Sequence, residues 1–242
     1  VLHRTLEQAK LLGYIRVNPA DAAVTPRVEK KQVEALDADD VGKFLTAIKG
    51  SKYEYPLFVA VFTGLRQGEL LGLTWDCVDF EHGLLLINKQ HNRVKGDTEF
   101  RFASLKNDKA RVLTVADEVI DVLKLQKEKQ DTWAAALGDD WNNSDNLVFT
   151  TEFGRYINNK ILYQNFKRNA KKLGKPDLRF HDLRHTYAVN SLRAGDDIKT
   201  VQENLGHATA SFTLSTYAHA TPGMKKESAR RMTEFIRSVQ GA

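Results

Sequence analysis

Apolar positions along the chain recur mainly at helical spacing. Leu2, Leu6, Ala9 and Leu12 form a stripe over residues 1–12 that Gly13 closes, which predicts a helix with its C-terminal cap. Residues 18–31 then carry two prolines, Pro19 and Pro26, and a run of charge, the composition of a linker. Beyond Leu36 the pattern changes. Asp37 or Asp39 stands where it can cap a helix bearing Val41, Phe44, Leu45 and Ile48, and Gly50 ends it. The run from Pro56 to Phe62 is apolar on every side, so it predicts a central, enclosed helix. Gly64 and Gly68 are expected to break helical continuity around Arg66, as where backbone must approach something closely.

The second half starts with β-prone stretches at Leu84–Ile87, Arg101–Leu105 and Ala110–Val115, with Lys106–Lys109 as a polar turn between the last two. A small antiparallel sheet follows, with residues 92–98 as an intervening loop. Asp117–Lys129 reads as an amphipathic helix, 138–146 as a polar loop, and Leu147–Thr150 as a short buried strand. Ile161–Leu173 is a basic amphipathic helix ending at Gly174. A helix from Phe180 is followed by a shorter one with Ile198, Val201 and Leu205 on one side and Gly206 as its cap. Lys225–Val239 is a last amphipathic helix with Met232, Phe235, Ile236 and Val239 on one stripe. The fold class is therefore mainly α with a small antiparallel β-sheet.

Composition narrows the class further. With 242 residues and 42% hydrophobic content the chain can bury a sizeable core, and its single cysteine, Cys77, rules out an intrachain disulfide and fits a reducing compartment. There is no apolar run of about 18 residues and no signal peptide pattern, so the expectation is a soluble, cytoplasmic protein with no membrane partner. The net charge of +5 suits a polyanionic partner. Basic residues gather at 89–95, 101–111, 167–175 and 225–237, although each cluster by itself reads as a solvated face.

Chemistry concentrates between Phe180 and Tyr217. On a helix His181 and Arg184 share a face, with His185 beside them, so proton transfer and positive charge come together. The Gly206 cap puts His207 at the mouth of a turn, and Tyr217 follows in a segment without a pattern of its own. The spacing of His181 and His185, with His207 as a third ligand, also admits a zinc hydrolase. Against that, Asp182 is one methylene short of the glutamate needed, and Arg184 would bring positive charge to the metal.

Three phrases stand in order along the chain: T-G-L-R-Q-G-E-L at Thr63–Leu70 with L-T-W after it, H-D-L-R at His181–Arg184, and L-G-H at Leu205–His207, the last followed by Tyr217. Together they resemble the tyrosine recombinase family, the phage-type and transposon-type integrases. The resemblance implies the tyrosine recombinase catalytic-domain fold over residues 36–242, with a C-terminal helical tail. Residues 1–35 would be the last helix and linker of a truncated core-binding domain.

It also implies roles. Arg66, Arg184 and His207 would hold a DNA phosphate, Tyr217 would be the nucleophile, and His181 the base. Lys106 would be the general acid, with Lys109 and Lys95 as alternatives. From the residues themselves, Glu69, three residues after Arg66, stands where it can orient a guanidinium or imidazole, His185 reads as a structural or backbone-bonded residue, and His219 as a residue that shapes its own segment. No cofactor and no metal are expected. The implied partners are double-stranded DNA, further copies of the chain in a homo-oligomer (a tetramer) on that DNA, and accessory DNA-bending or directionality proteins. The tail would dock on a neighbouring protomer or on its own domain. Type IB topoisomerase-like strand relaxation shares much of this chemistry and is the nearest alternative.

Overall fold

A computed structural model describes residues 1–24, 35–93, 100–103, 105, 110–206, 230, 232–234 and 236–239. The chain divides into two compact units, Val1–Gln32 and Val33–Ala242. In the first, helix α1 (Leu2–Leu11) is followed by a 3-10 turn at Pro19–Ala22. Asn18 ties the two together: its side chain donates to Glu7 at 3.0 Å and accepts from Ala20 N, while His3 Nε2 meets Asp21 at 2.8 Å.

The second unit opens with α2 (Ala38–Ile48), which Asp37 caps by accepting from Asp40 N at 2.8 Å. Next come α3 (Glu54–Thr63) and α4 (Gln67–Leu71), then β1 (Val78–Asp79), β2 (Leu84–Ile87), β3 (Gln90–Arg93), β4 (Phe100–Ala103) and β5 (Arg111–Thr114). The chain continues through α5 (Asp117–Leu137), α6 (Asn159–Lys172), α7 (Phe180–Ala194) and α8 (Ile198–Leu205). Helix α3 lies between α5 and α7 and buries Leu57, Val59, Ala60 and Val61, as its apolar run requires. Each fully buried leucine or valine side chain among them stabilises the fold by about 1.5–3 kcal/mol. The two phenylalanines of the run depart from this: Phe58 is half-buried, and Phe62 reaches solvent and stacks obliquely on it at 4.8 Å.

The main core joins α2, α3, α5 and α6 to the sheet. A smaller cluster, Ala188, Val189, Leu192, Val201 and Leu205, joins α7 to α8. Two bonds fix the entry of the chain onto α7. Leu36 N donates to Thr186 Oγ1 at 3.0 Å, and Asn190 Nδ2 donates to Leu36 O.

Several expectations are corrected. Gly64 does end α3, in the left-handed conformation at φ +62°, but Gly68 lies inside α4 and breaks nothing. The strands do not form one sheet: β1, β2 and β5 make a three-stranded antiparallel sheet, while β4 pairs with β3. Among the described residues, the two strands flanking 106–109 therefore pair with other strands and not with each other. Asn92 and Arg93 belong to β3 and not to a loop.

Leu147–Thr150 is buried but makes only isolated bridges, to Thr74 and Tyr156. Its polar groups go elsewhere. Val148 N donates to Leu73 O, and the buried Gln130 amide donates to Val148 O and Thr150 Oγ1 while accepting from Trp75 Nε1 at 2.8 Å. At the far end, residues 232–234 and 236–239 are helical with Met232, Ile236 and Val239 exposed. Phe235 lies outside the described residues.

Candidate active site

Arg66 stands at the start of α4, directly after the turn that Gly64 allows. Glu69, one turn on, bends back to this start. Its carboxylate accepts from Arg66 N at 3.0 Å and from Arg66 Nη1 at 2.5 Å. This is the geometry of a capping acid three residues into a helix, so the sequence R-Q-G-E fixes the arginine and begins the helix together. Glu69 is only 1% exposed, whereas the Arg66 side chain is 30% exposed and reaches the surface.

A second guanidinium shares Glu69. Arg111, at the start of β5, donates to the two carboxylate oxygens at 3.2 and 2.7 Å. Burial by itself would raise the Glu69 carboxyl. The bonds and charge of Arg111, and then the charge of Arg66, outweigh it and hold the group at about 2. Arg111 was expected among the solvated basic clusters; its side chain is instead 10% exposed. A charged residue opening a strand whose neighbours are apolar is the only trace of this in the sequence.

Helix α7 begins the same way as α4. Asp182 accepts from Arg179 N at 2.7 Å and from the Arg179 guanidinium, so the residue weighed as a short stand-in for a zinc enzyme's glutamate is a helix-capping acid. His181 and His185 pack edge to face with ring centroids 4.9 Å apart. The His181 ring reaches the surface, yet the protein packed around it, followed by the charges of Arg184 and Arg66, pushes its pKa down. His185 is buried, and burial followed by the neighbouring His181 lowers it to about 4. Both rings are therefore neutral near pH 7. Among the described residues no three His, Cys, Asp or Glu side chains are grouped to hold a metal.

Arg184 is 1% exposed. Its Nη1 donates to Gly64 O at 3.0 Å and its Nη2 to Leu205 O, so it joins the ends of α3 and α8. The fit there is tight: a Cβ on Gly64 would stand 2.8 Å from Leu205 Cδ2 and from Tyr187 Cδ1. Tyr187 Oη in turn accepts from Asn204 Nδ2 at 3.0 Å. Helix α8 ends on Gly206 at φ +62°.

The fold thus brings Arg66, Glu69, His181 and Arg184 to one place, and adds Arg111, which sequence reading passed over. Lys95, Lys106, Lys109, His207, Tyr217 and His219 lie outside the described residues. Beside the site, Gln67 Nε2 donates to Asn159 O at 2.7 Å, joining α4 to the start of α6. That helix exposes Lys160, Arg168, Lys171 and Lys172. No helix among the described residues is long and apolar enough to cross a membrane.

Comparison with known proteins gives a consistent result. The phage integrase family model matches residues 34–224. A tyrosine recombinase XerC-like protein of Caldanaerobacter subterraneus subsp. tengcongensis is 30% identical over 241 residues, covering 93% of this chain and 61% of the relative. The ICEBs1 integrase of Bacillus subtilis is 25% identical over 228 residues, covering 92% and 60% respectively. The chain thus spans about three fifths of the length of these curated relatives. Among solved structures, the Tn1549 transposon integrase in complex with transposon right end DNA superposes with a TM-score of 0.76 at 24% identity, over 96% of this chain and 76% of that one. XerA recombinase superposes with a TM-score of 0.63 at 22% identity, over 95% and 73%. These structures share the fold: mostly helical, with a small antiparallel sheet. The comparisons favour neither the zinc hydrolase nor the strand-relaxing alternative.

Proposed function

The chain belongs to the phage integrase family, and from that membership we propose that it cuts and rejoins double-stranded DNA at specific sites through a covalent 3′-phosphotyrosine intermediate. The observation that carries the reading is the bond from Arg184 to Gly64 O. It sets the second arginine against the turn that bears the first, from 120 residues away in the sequence, with the neutral His181 ring under the charge of both. Two fixed guanidiniums suit a phosphate that gains charge at its non-bridging oxygens as it is attacked. In this reading His207 adds a third donor.

Tyr217 supplies the nucleophile. Its phenolic oxygen forms a bond to phosphorus as the bond to the 5′ oxygen breaks. His181 takes the phenolic proton, and Lys106, with Lys109 and Lys95 as the alternatives, gives one to the leaving oxygen. A 5′-hydroxyl from another strand then reverses the step, with no nucleotide and no metal, and the strands are exchanged. The exposed bases of α6 beside Gln67 supply sequence-independent attraction for the DNA backbone.

Residues 36–242 act here as the catalytic domain, with 1–35 as the last helix and linker of a core-binding domain. Further copies assemble on DNA as a homo-oligomer, a tetramer, joined by accessory bending or directionality proteins, in the cytoplasm. The exposed stripe of Met232, Ile236 and Val239 is suited to docking on a neighbour or back on its own domain. A nicked suicide duplex tests the core of this reading. It traps a covalent protein–DNA adduct with the natural sequence and none with Tyr217→Phe; an adduct that survives the substitution assigns the nucleophile elsewhere.

A further inference from the structure

We propose that Arg111 is a positioning residue of the strand-cleavage site: by gripping Glu69 with both arms of its guanidinium it fixes the direction of the Arg66 guanidinium and leaves that charge available to the phosphate. This rests on the reading that Arg66 meets the phosphate.

Three features of the site carry it. The first is charge balance. Glu69 is enclosed and carries one negative charge between two guanidiniums, so the cluster keeps one positive charge. Were Glu69 bonded to Arg66 alone, the pair would be neutral and the carboxylate could draw the guanidinium back from its target. The second is geometry. Glu69 Oε1 takes Arg66 Nη1 at 2.5 Å and Arg111 Nη1 at 3.2 Å, while Oε2 takes Arg66 N at 3.0 Å and Arg111 Nη2 at 2.7 Å. With every arm occupied the carboxylate cannot rotate, and the side chain it holds keeps one direction.

The third feature is a further anchor. Arg111 Nε donates to Asn204 O at 2.7 Å, at the end of α8, where carbonyls lack helical partners and a cation meets the negative end of the helix dipole. Gly206 leaves the space for this: a Cβ there would stand 3.1 Å from Arg111 Cδ and Nη1. One side chain therefore references the Arg66 turn to the last turn before His207. A structural ion pair needs none of this convergence.

The test compares single-turnover cleavage of two nicked suicide duplexes by the full chain. One has an ordinary phosphodiester at the scissile position. The other has a methylphosphonate, which replaces a non-bridging oxygen with methyl and carries no charge for a guanidinium to meet. Arg111→Ala should slow the phosphodiester by roughly 10- to 100-fold, the scale of a misplaced catalytic group. On the methylphosphonate, relative to the natural sequence on the same duplex, the loss should shrink to about 3-fold or less, because no charge remains for a well-aimed Arg66 to meet.

Arg66→Ala should show the same pattern with larger amplitude. Arg111→Lys keeps the charge without the two-armed grip, so it should fall between and show the same dependence on substrate. Equal losses on both duplexes, or no loss, overturn the proposal. Thermal unfolding by circular dichroism identifies an Arg111→Ala chain that does not fold, in which case Arg111→Lys decides by the same criterion. If Arg66→Ala itself shows no dependence on the substrate, the phosphate role of Arg66 fails instead, which separates the two ideas.

Discussion

Glu69→Gln is the substitution that puts most of this site under test at once. The amide keeps the size of the side chain but removes the charge, and one of its two arms becomes a donor facing guanidinium donors. The carboxyl lies at about 2 in the folded chain against an ordinary 4.5, a difference worth about 3 kcal/mol at about 1.4 kcal/mol per unit of pKa. Because the folded value is depressed, that stability is fully present above the unfolded value near 4.5 and is lost as pH falls towards the folded value of about 2. Urea unfolding at pH 7 should therefore show a loss of about 3 kcal/mol in Glu69→Gln, with the m-value unchanged. Between pH 5 and pH 3 the natural chain should lose stability more steeply than the variant, and the two curves should converge. A loss under about 1 kcal/mol at pH 7, or parallel curves in acid, would refute the account of Glu69 as a carboxylate held ionised by two arginines.

Two further outcomes follow from the same geometry. The acid limb of the cleavage pH–rate profile should lie below pH 6.5, the ordinary histidine value, because the folded pKa of His181 is depressed and the basic ring is lost only as pH falls through that lower value; a limb at or above 6.5 contradicts the assignment of the base. Gly64→Ala should cost about 2 kcal/mol or more in urea unfolding, since it strains a φ of +62° and drives a Cβ to 2.8 Å from Leu205 and Tyr187, and a change within about 0.5 kcal/mol would mean that the turn is looser than described.

Where a local pattern was enough, the sequence was readable. Asp37 before an amphipathic run, the apolar surround of α3 and the glycine after α8 each specify their element from neighbours alone. What depended on distant partners was not. The strand β3 reads Q-H-N-R and has no β-branched residue to announce it. It is supported by the buried His91 ring, packed 5.9 Å from Phe102 and 5.3 Å from Tyr156, which only the fold brings near. The stretch before Lys106 alternates in a way compatible with either neighbouring strand, and pairing chose β3 over β5. Leu147–Thr150 is apolar enough for a strand, but its backbone partners are a loop and the Gln130 amide. Arg111 was hidden because it sits in a run of basic residues, and its carboxylate partner belongs to a motif far upstream. Motif wording singles out Arg66, Arg184 and Glu69, which the fold brings near one another, while the burial of Arg184 and its bonds to two carbonyls have no signature in the sequence.

The contact of Gly64 with Tyr187 and Leu205, bridged by Arg184, bears on how members of such a family can exchange parts. A chimaera that takes the segment around Gly64 from one relative and the segment from α7 to α8 from another joins two surfaces that were shaped against each other with no spare volume. Either side can change only when the other changes to suit it. A functional crossover therefore has to keep residues 63–66 and 184–206 from the same parent, together with Glu69 and Arg111, which bond to both segments across the chain that separates them.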